Sequence, residues 1–447
     1  MLCNTGVKFA SLIVLLGACA SGASTEPRLT EQTTAVIPTA PANPAPAVVQ
    51  TRLFSIPPFE SSGHAELDAW RIDFAQRAME AGRNPMVVYD VLADAKPLEA
   101  YLPSNPGEGT SSIASQAEFA KPVWEYLATA VSPTNIDTGA TRAAEEAALF
   151  AQIEERFGVD GEVVAAIWGM ETSFGGYIGN FDGPETLVNM AAEGRRRALA
   201  EAELLATMQL IERGLVEREQ LIAGWAGAMG QTQFMPSTFL AYGIDFSGGT
   251  QPDLWTSRAD ALGSAANYMS QLGYRHNVPW GVEVDLPEDF DLTYSDGRKL
   301  SALQWRSLGL QSLDGTPLAV EDAEQARLWL PSDASGPKYL LFSNFDIFLS
   351  YNRSLSYAFA VGLLSDGIAG RDGPQTPWPT HLEKVSVGEI ARLQTALNAL
   401  GYDAGAPDGI VGSRTRRALQ RFQSDTGRTA DGYPTPDLVA AVVQAAG

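Results

Sequence analysis

Cysteine is nearly absent from this chain: its 447 residues hold two, Cys3 and Cys19, both within the first twenty positions. Everything downstream therefore has neither a disulfide nor a thiolate metal site open to it. Histidine is almost as scarce. His64, His276 and His381 are widely scattered, which argues against a histidine-based zinc centre and leaves each as an ordinary surface or core residue. Positive charge is short as well, with 31 Lys and Arg against 53 Asp and Glu, a formal net charge of −22. Phosphate binding needs a basic surface, so nucleic acid is excluded as a partner. No metal and no cofactor are expected. What is present is ordinary globular material: 45% hydrophobic and 19% charged residues, enough for a sizeable core. The length suits two or three domains.

The N-terminus carries a short apolar run over residues 9–17 behind Lys8. It is too short to span a bilayer as a mature helix and has the size of a signal-peptide core. It ends in Leu16-Gly17-Ala18-Cys19, which resembles the lipobox of bacterial lipoproteins. Residues 1–18 are then a lipoprotein signal peptide and Cys19 is the lipidation site; a plain secretory signal with a chance Cys is the other reading. Ala20 is not the Asp that retains lipoproteins at the inner membrane, so the expected location is the periplasmic face of an outer membrane. Residues 19–53, rich in Ala, Thr, Pro and Ser, read as a disordered tether.

Residues 54–368 read as a mainly α-helical domain. Leu67, Trp70 and Phe74 recur at i, i+3 and i+7, and Leu204, Leu205, Met208 and Ile211 form a second stripe. A region near 281–330 differs, because Gly281-Val282-Glu283-Val284-Asp285-Leu286 alternates as a strand does. A small β-containing insertion is expected there. Gly and Pro mark residues 369–386 as a linker. Residues 387–447 follow as a compact unit whose charges balance, so the acidity belongs to the larger domain.

Chemistry concentrates in two segments. In the first, Val164, Ile167, Trp168 and Glu171 fall at i, i+3, i+4 and i+7, which sets a carboxylate on an apolar stripe. A carboxyl held there loses solvation, its pKa rises, and it suits a general acid. Thr172-Ser173-Phe174-Gly175-Gly176 then ends the helix. Periodicity alone leaves open a helix-terminal Glu that reaches solvent. The second segment runs from Gly224-Trp225-Ala226-Gly227-Ala228 through Met229-Gly230-Gln231-Thr232-Gln233 to Phe234-Met235-Pro236-Ser237. Its small residues permit close backbone approach, and its two amides suit sugar hydroxyls and N-acetyl groups. Taken by itself, such a stretch is equally a site of tight packing.

Together with Tyr351-Asn352-Arg353-Ser354-Leu355-Ser356-Tyr357-Ala358, these segments resemble the lytic murein transglycosylase B family, in the family's order, from about residue 60 to 368. The resemblance implies a lysozyme-like helical fold and cleavage of the MurNAc–GlcNAc β-1,4 bond to a 1,6-anhydro-MurNAc end. Glu171 matches the family's sole catalytic acid/base, and an ordinary glycosidase needs a second carboxylate. Gln233 matches a substrate-contacting Gln. Tyr268, Tyr351, Asn352 and Tyr357 match residues lining the cleft, and Tyr126, Arg195 and Arg196 match outlying sugar or stem-peptide contacts. Two positions depart from the pattern. Gly224 stands where the family usually has Ser. In the loop from Asp245, where some relatives hold calcium, Asp245, Ser247 and Asp260 remain but Gly249 replaces an expected acidic ligand.

Residues 388–445 resemble the peptidoglycan-binding domain type 1 family through Leu393-Gln394, Leu400-Gly401-Tyr402, Asp408-Gly409, Phe422-Gln423 and Asp431-Gly432. The resemblance implies a small three-helix bundle that holds the enzyme on its polymer. The expected protein is a monomer with peptidoglycan glycan strands as partner and the membrane reached by its N-terminal lipid. A same-fold muramidase that hydrolyses with water, and a non-catalytic wall-binding lipoprotein, stay open beside the transglycosylase reading.

Overall fold

The structure, a computed structural model, describes residues 56–102 and 121–447. The signal peptide, Cys19 and the tether lie outside the described residues.

Helices begin where a side chain can take up free N–H groups. His64 caps the Ala65–Glu80 helix by accepting from the Leu67 amide at 3.3 Å, and Leu67, Trp70 and Phe74 are buried along its inner face. Asp182 caps the Gly183–Glu193 helix in the same way, with Pro184 in the first turn and Gly194 in the left-handed region closing the end. That helix packs along Arg197–Glu212, and Leu187, Leu204 and Met208 join the Trp70 core.

A second core surrounds the Gly161–Thr172 helix. The helices Pro133–Glu145, Arg258–Gln271 and Leu355–Ile368 pack against it. Val163 through Trp168 are buried without a break, so the helix has no solvated face over these residues. This differs from the amphipathic stripe expected: a helix apolar all round sits wholly inside the domain. Val163, Val164 and Ile167 each add about 1.5–3 kcal/mol of burial energy, which outweighs their modest β-branched propensity penalty.

The β insertion is larger than expected. β3 (Gly281–Asp285), β4 (Leu300–Ser301), β5 (Gln311–Ser312), β6 (Gln325–Trp329) and β7 (Tyr339–Leu341) form one antiparallel sheet in the order β4-β6-β7-β3-β5. Leu340 pairs with Val282 on one side and Leu328 on the other. The sheet therefore reaches Leu341, beyond the expected limit near 330. β7 is buried at all three residues, and a central strand buried on both faces shows no alternation to find. A two-stranded ladder, β1 (Phe181–Asp182) with β2 (Ile222–Ala223), lies in the helical part.

The C-terminal unit is the expected three-helix bundle: Val387–Ala399, Ser413–Asp425 and Pro436–Ala446. Two Asp-Gly turns are clamped identically by buried glutamines. Gln394 accepts from the Gly409 amide at 2.9 Å and donates to Asp408 at 3.0 Å; Gln423 accepts from Gly432 at 2.8 Å and donates to Asp431 at 2.8 Å. Gly409 and Gly432 hold φ of 78° and 69°, where a Cβ would be strained. The 369–386 segment forms no helix or strand but is strapped down, with Trp378 against Trp124 and the Gln375 and Thr376 amides donating to Glu283. The bundle docks on the insertion through Gln420 to Ser295 at 2.6 Å and Arg416 to the Leu330 carbonyl at 2.9 Å. No helix among the described residues is long and apolar enough to cross a membrane.

Candidate active site

Glu171 occupies the last turn of the Gly161–Thr172 helix and is 4% exposed, so the solvent-reaching alternative fails. The chain turns away at once: Ser173, Phe174 and Gly175 hold φ of 52°, 60° and 77°. Non-glycine residues rarely sit there, and strain of this kind gathers at functional sites. Gln233, at φ 50°, is the third of four such non-glycine residues among the described ones, and it belongs to the second motif. The turn is held by packing. Phe174 meets Trp168 edge-on at 5.8 Å, and its ring lies so close to Gly169 that an added Cβ would come within 2.5 Å.

Thr172, fully buried, joins the two motifs. Its hydroxyl donates to the Gln231 carbonyl at 2.7 Å and accepts from the Gly175 amide at 3.0 Å. Sequence reading did not single it out; a hydroxyl directly after the acid at a helix end was the available signal. On the second segment, Gly230 (φ 70°) passes so near Leu254 that a Cβ would lie 2.5 Å from its carbonyl oxygen. The Gln231 amide donates to that same carbonyl at 2.8 Å. Gln233 spends its side-chain N–H groups on the carbonyls of Ile178 (3.2 Å) and Gly230 (2.9 Å), while its Oε1 is buried without a partner. The expected substrate contact thus has an acceptor to offer, not a donor.

From the Leu355–Ile368 helix, Tyr357 donates its hydroxyl to Oε1 of Glu171. Burial, and after it the Glu171 charge, pushes the Tyr357 phenol well above its ordinary range, so it stays a neutral donor. Tyr351 is driven the same way by burial, then Tyr268 and Glu171, and its buried hydroxyl has no partner. Tyr268 packs edge-on against Tyr351 at 5.2 Å and donates to the Ser350 carbonyl at 3.2 Å. Burial beside Tyr242 pushes its phenol up to about 12. Asn352 is buried; its Oδ1 accepts from the Ser354 amide at 3.0 Å and its Nδ2 is unpartnered. Tyr126 packs against the same core, near enough to Tyr357 to add to the upward push on its phenol. Orphaned buried polar groups are costly unless something else meets them, and three of the residues expected at the site carry one: Gln233 Oε1, Tyr351 Oη and Asn352 Nδ2.

Arg195 and Arg196 are not part of this group. They line a separate pocket of about 590 Å³ with Gly194 and Arg197. Arg195 pairs with Glu193. Arg196 has a buried, unpartnered Nη2, and desolvation lowers its pKa. Tyr101, which sequence reading missed for want of any local pattern, lies beside Arg196 and donates to the Trp225 carbonyl at 2.7 Å.

The first two acids after Glu171 in the sequence, Asp182 and Glu185, are engaged elsewhere. Asp182 forms an ion pair with Arg218 at 2.7 Å, and Glu185 accepts from the Lys96 amide at 2.9 Å. In the Asp245 loop the carboxylates face amide donors: Asp245 accepts from Gly248 and Gly249, and Asp260 from Phe246, Ser247 and Asp253. Among the described residues only Glu154, Asp160 and His276 converge as a potential ligand set, at the opposite end of the Glu171 helix.

Comparison with known proteins places this geometry. The transglycosylase SLT domain matches residues 66–366, and a peptidoglycan binding domain matches residues 386–442. The chain is similar to the membrane-bound lytic murein transglycosylase B of Escherichia coli (strain K12), 28% identical over 288 residues, which is 63% of this chain and 77% of the relative. Among solved structures it is similar to SltB3 from Pseudomonas aeruginosa in complex with NAG-anhNAM-pentapeptide. The identity is 38% and the TM-score 0.77, over 84% of this chain and 99% of that one. The soluble lytic transglycosylase SltB1 of the same species is 25% identical with a TM-score of 0.57, covering 67% of this chain and 98% of that one.

Proposed function

This chain belongs to the transglycosylase SLT domain family, and from that premise we propose that it is a lytic transglycosylase that cuts peptidoglycan with Glu171 as its one general acid/base. The observation that carries the single-carboxylate reading is the burial of Glu171 against Tyr357, with the two acids nearest after it in sequence engaged by other partners. Asp182 is committed to Arg218 and Glu185 to a backbone amide.

One carboxyl suffices when the substrate supplies the nucleophile. Glu171 protonates the glycosidic oxygen as the MurNAc C1–O bond breaks. The C6 hydroxyl of the same MurNAc then attacks C1, and Glu171 takes its proton. No water is consumed, the acid is regenerated, and the product ends in 1,6-anhydro-MurNAc. Retaining and inverting hydrolases instead need a second carboxylate at about 5–9.5 Å. Gln233, Tyr268, Tyr351, Asn352 and Tyr357 bind the sugars at the bond, with Tyr126 farther along; Arg195 and Arg196 meet the polymer farther out.

The reading extends to the whole chain. Residues 54–368 form the catalytic domain and 387–447 the wall-binding module, joined by 369–386. Acylation of Cys19 anchors a monomer at the periplasmic face of the outer membrane, and residues 19–53 give it reach. Digestion of purified sacculi followed by mass spectrometry tests the central point. Anhydro-MurNAc ends are expected. Reducing ends would make the chain a muramidase, and no released muropeptides would make it a binding protein.

A further inference from the structure

His276 reads in the sequence as an ordinary residue, far from any other histidine. The fold brings it to two carboxylates. Its Nδ1 lies in hydrogen-bond contact with Oδ1 of Asp160 and 3.9 Å from Oε1 of Glu154. The three ligand atoms all fall within 4.8 Å of one another. They come from three separate places: Glu154 from the Ala147–Phe157 helix, Asp160 from the turn into the Gly161–Thr172 helix, and His276 from the turn after Arg258–Gln271.

Asp160 stands at the N-cap of its helix, where an aspartate ordinarily accepts from the first-turn amides. Its side chain makes no such bond. Every other Ser, Thr, Asn or Asp at an N-cap among the described residues accepts from its own helix, Asp182 and Ser257 included. The Asp160 carboxylate turns away instead, with one oxygen toward His276 and the other accepting from the hydroxyl of Tyr274. No lysine or arginine among the described residues accounts for this. Glu146 and Glu162, close by in sequence, are paired with Arg258 and Arg371, whereas the only basic group at ion-pair distance from Glu154 or Asp160 is the His276 ring. Two carboxylates this close repel one another unless a cation lies between them.

We propose that Glu154, Asp160 and His276 bind one divalent transition-metal ion of the zinc class, which fastens the base of the helix that carries Glu171. An imidazole beside two carboxylates suits Zn²⁺, whereas Ca²⁺ and Mg²⁺ take oxygen ligands. Tetrahedral zinc with bonds of about 2.1 Å spaces its ligands roughly 3.4 Å apart, close to the spacing here. The ion takes the place of the proton between Asp160 and the ring, which then carries its proton on Nε2. Tyr274 orients Asp160 through the oxygen turned away from the ring, as hydrogen bonds to metal-bound carboxylates do. Glu154 and His276 are each 45% exposed, so water completes the fourth position. Asp160 precedes a helix whose last turn carries Glu171, about 16 Å farther along its axis. The ion therefore acts on the frame of the site and not on the bond cleaved, and the inference stands apart from the peptidoglycan reading.

The test is titration of the metal-free full chain with zinc chloride, read by calorimetry and by thermal unfolding. One equivalent should bind and raise the unfolding midpoint by a few degrees, and calcium chloride should not raise it. His276→Ala should weaken binding at least tenfold and abolish the shift, and Tyr274→Phe should weaken it about tenfold. His381→Ala, in the 369–386 segment, should change neither. His276 is exposed, so its replacement leaves the fold intact, which the midpoint without zinc verifies. No binding, zinc bound equally by His276→Ala and the wild type, or a midpoint raised as much by calcium overturns the proposal.

Discussion

Tyr357 reaches Glu171 across 186 residues of sequence, donating its hydroxyl to a carboxylate that the surrounding helices exclude from water. That hydrogen bond orients the proposed acid and gives it a neutral partner in either protonation state. Tyr357→Phe removes it at little steric cost. A hydrogen bond to a charged group is worth about 1.5–3 kcal/mol, so kcat on sacculi should fall roughly 10- to 150-fold with KM little changed. Glu171→Gln should abolish anhydro product altogether while the protein stays folded. Full activity in Glu171→Gln would overturn the mechanism.

Thr172 makes a different kind of prediction, about stability. Its hydroxyl is the buried tie between the helix that carries Glu171 and the loop that carries Gln231 and Gln233. Thr172→Val keeps the shape but leaves the Gln231 carbonyl and the Gly175 amide without this partner, at about 1–3 kcal/mol. Thr172→Ser should restore most of the loss. Thermal unfolding of the three proteins side by side measures this, and equal melting points would show that the tie contributes nothing.

What could be read from the sequence was what repeats locally. The Leu67–Trp70–Phe74 stripe, the three helices of the C-terminal bundle and the break after Glu171 all follow from periodicity or from Gly and Ser at a helix end. β7 did not, because a three-residue strand buried throughout has no period-two signature, whereas β6 alternates between Gln325 and Arg327 on one face and Ala326 and Leu328 on the other. The Tyr101 prop under Trp225 and the Tyr357 donor to Glu171 depend on pairs 124 and 186 residues apart, which no local pattern encodes. Only the family resemblance brought Tyr357 forward.

The paired glutamine clamps of the bundle lend themselves to a comparison within one domain. Gln394 makes its bonds among Asp408, Gly409, Ile410 and Thr415, all inside the bundle. Gln423 holds Asp431 and Gly432, and Asp431 also accepts from Ala334 of the catalytic domain at 3.2 Å. Gln394→Ala should therefore destabilise the bundle by about 1–3 kcal/mol through unsatisfied turn groups. Gln423→Ala should do so and also loosen the contact with the insertion. Limited proteolysis between residues 369 and 386 reads the second effect, and equal cleavage rates in the two variants would count against it.

Glu203 supplies the pH dependence. It is 5% exposed, sits on the Arg197–Glu212 helix, and accepts from both the amide and the hydroxyl of Ser237 at 2.8 Å, fixing the start of the Pro236–Tyr242 helix that follows the second motif. Desolvation raises its pKa against the two Ser237 hydrogen bonds, which lower it. A carboxyl with a raised folded-state pKa binds its proton more tightly in the native state than in the unfolded one. Its contribution to stability is then fully present below the unfolded value of about 4.3 and is lost as pH rises through the folded value. Glu203→Gln keeps an acceptor for the Ser237 amide and removes the titration. The melting-point difference between variant and wild type should move in the variant's favour as pH climbs from 4 toward neutrality. A difference that stays constant across that range would show that Glu203 is already ionised in the fold without penalty. The proposed site would be little affected either way, since Glu203 supports the second motif through Ser237 and not through Gln233.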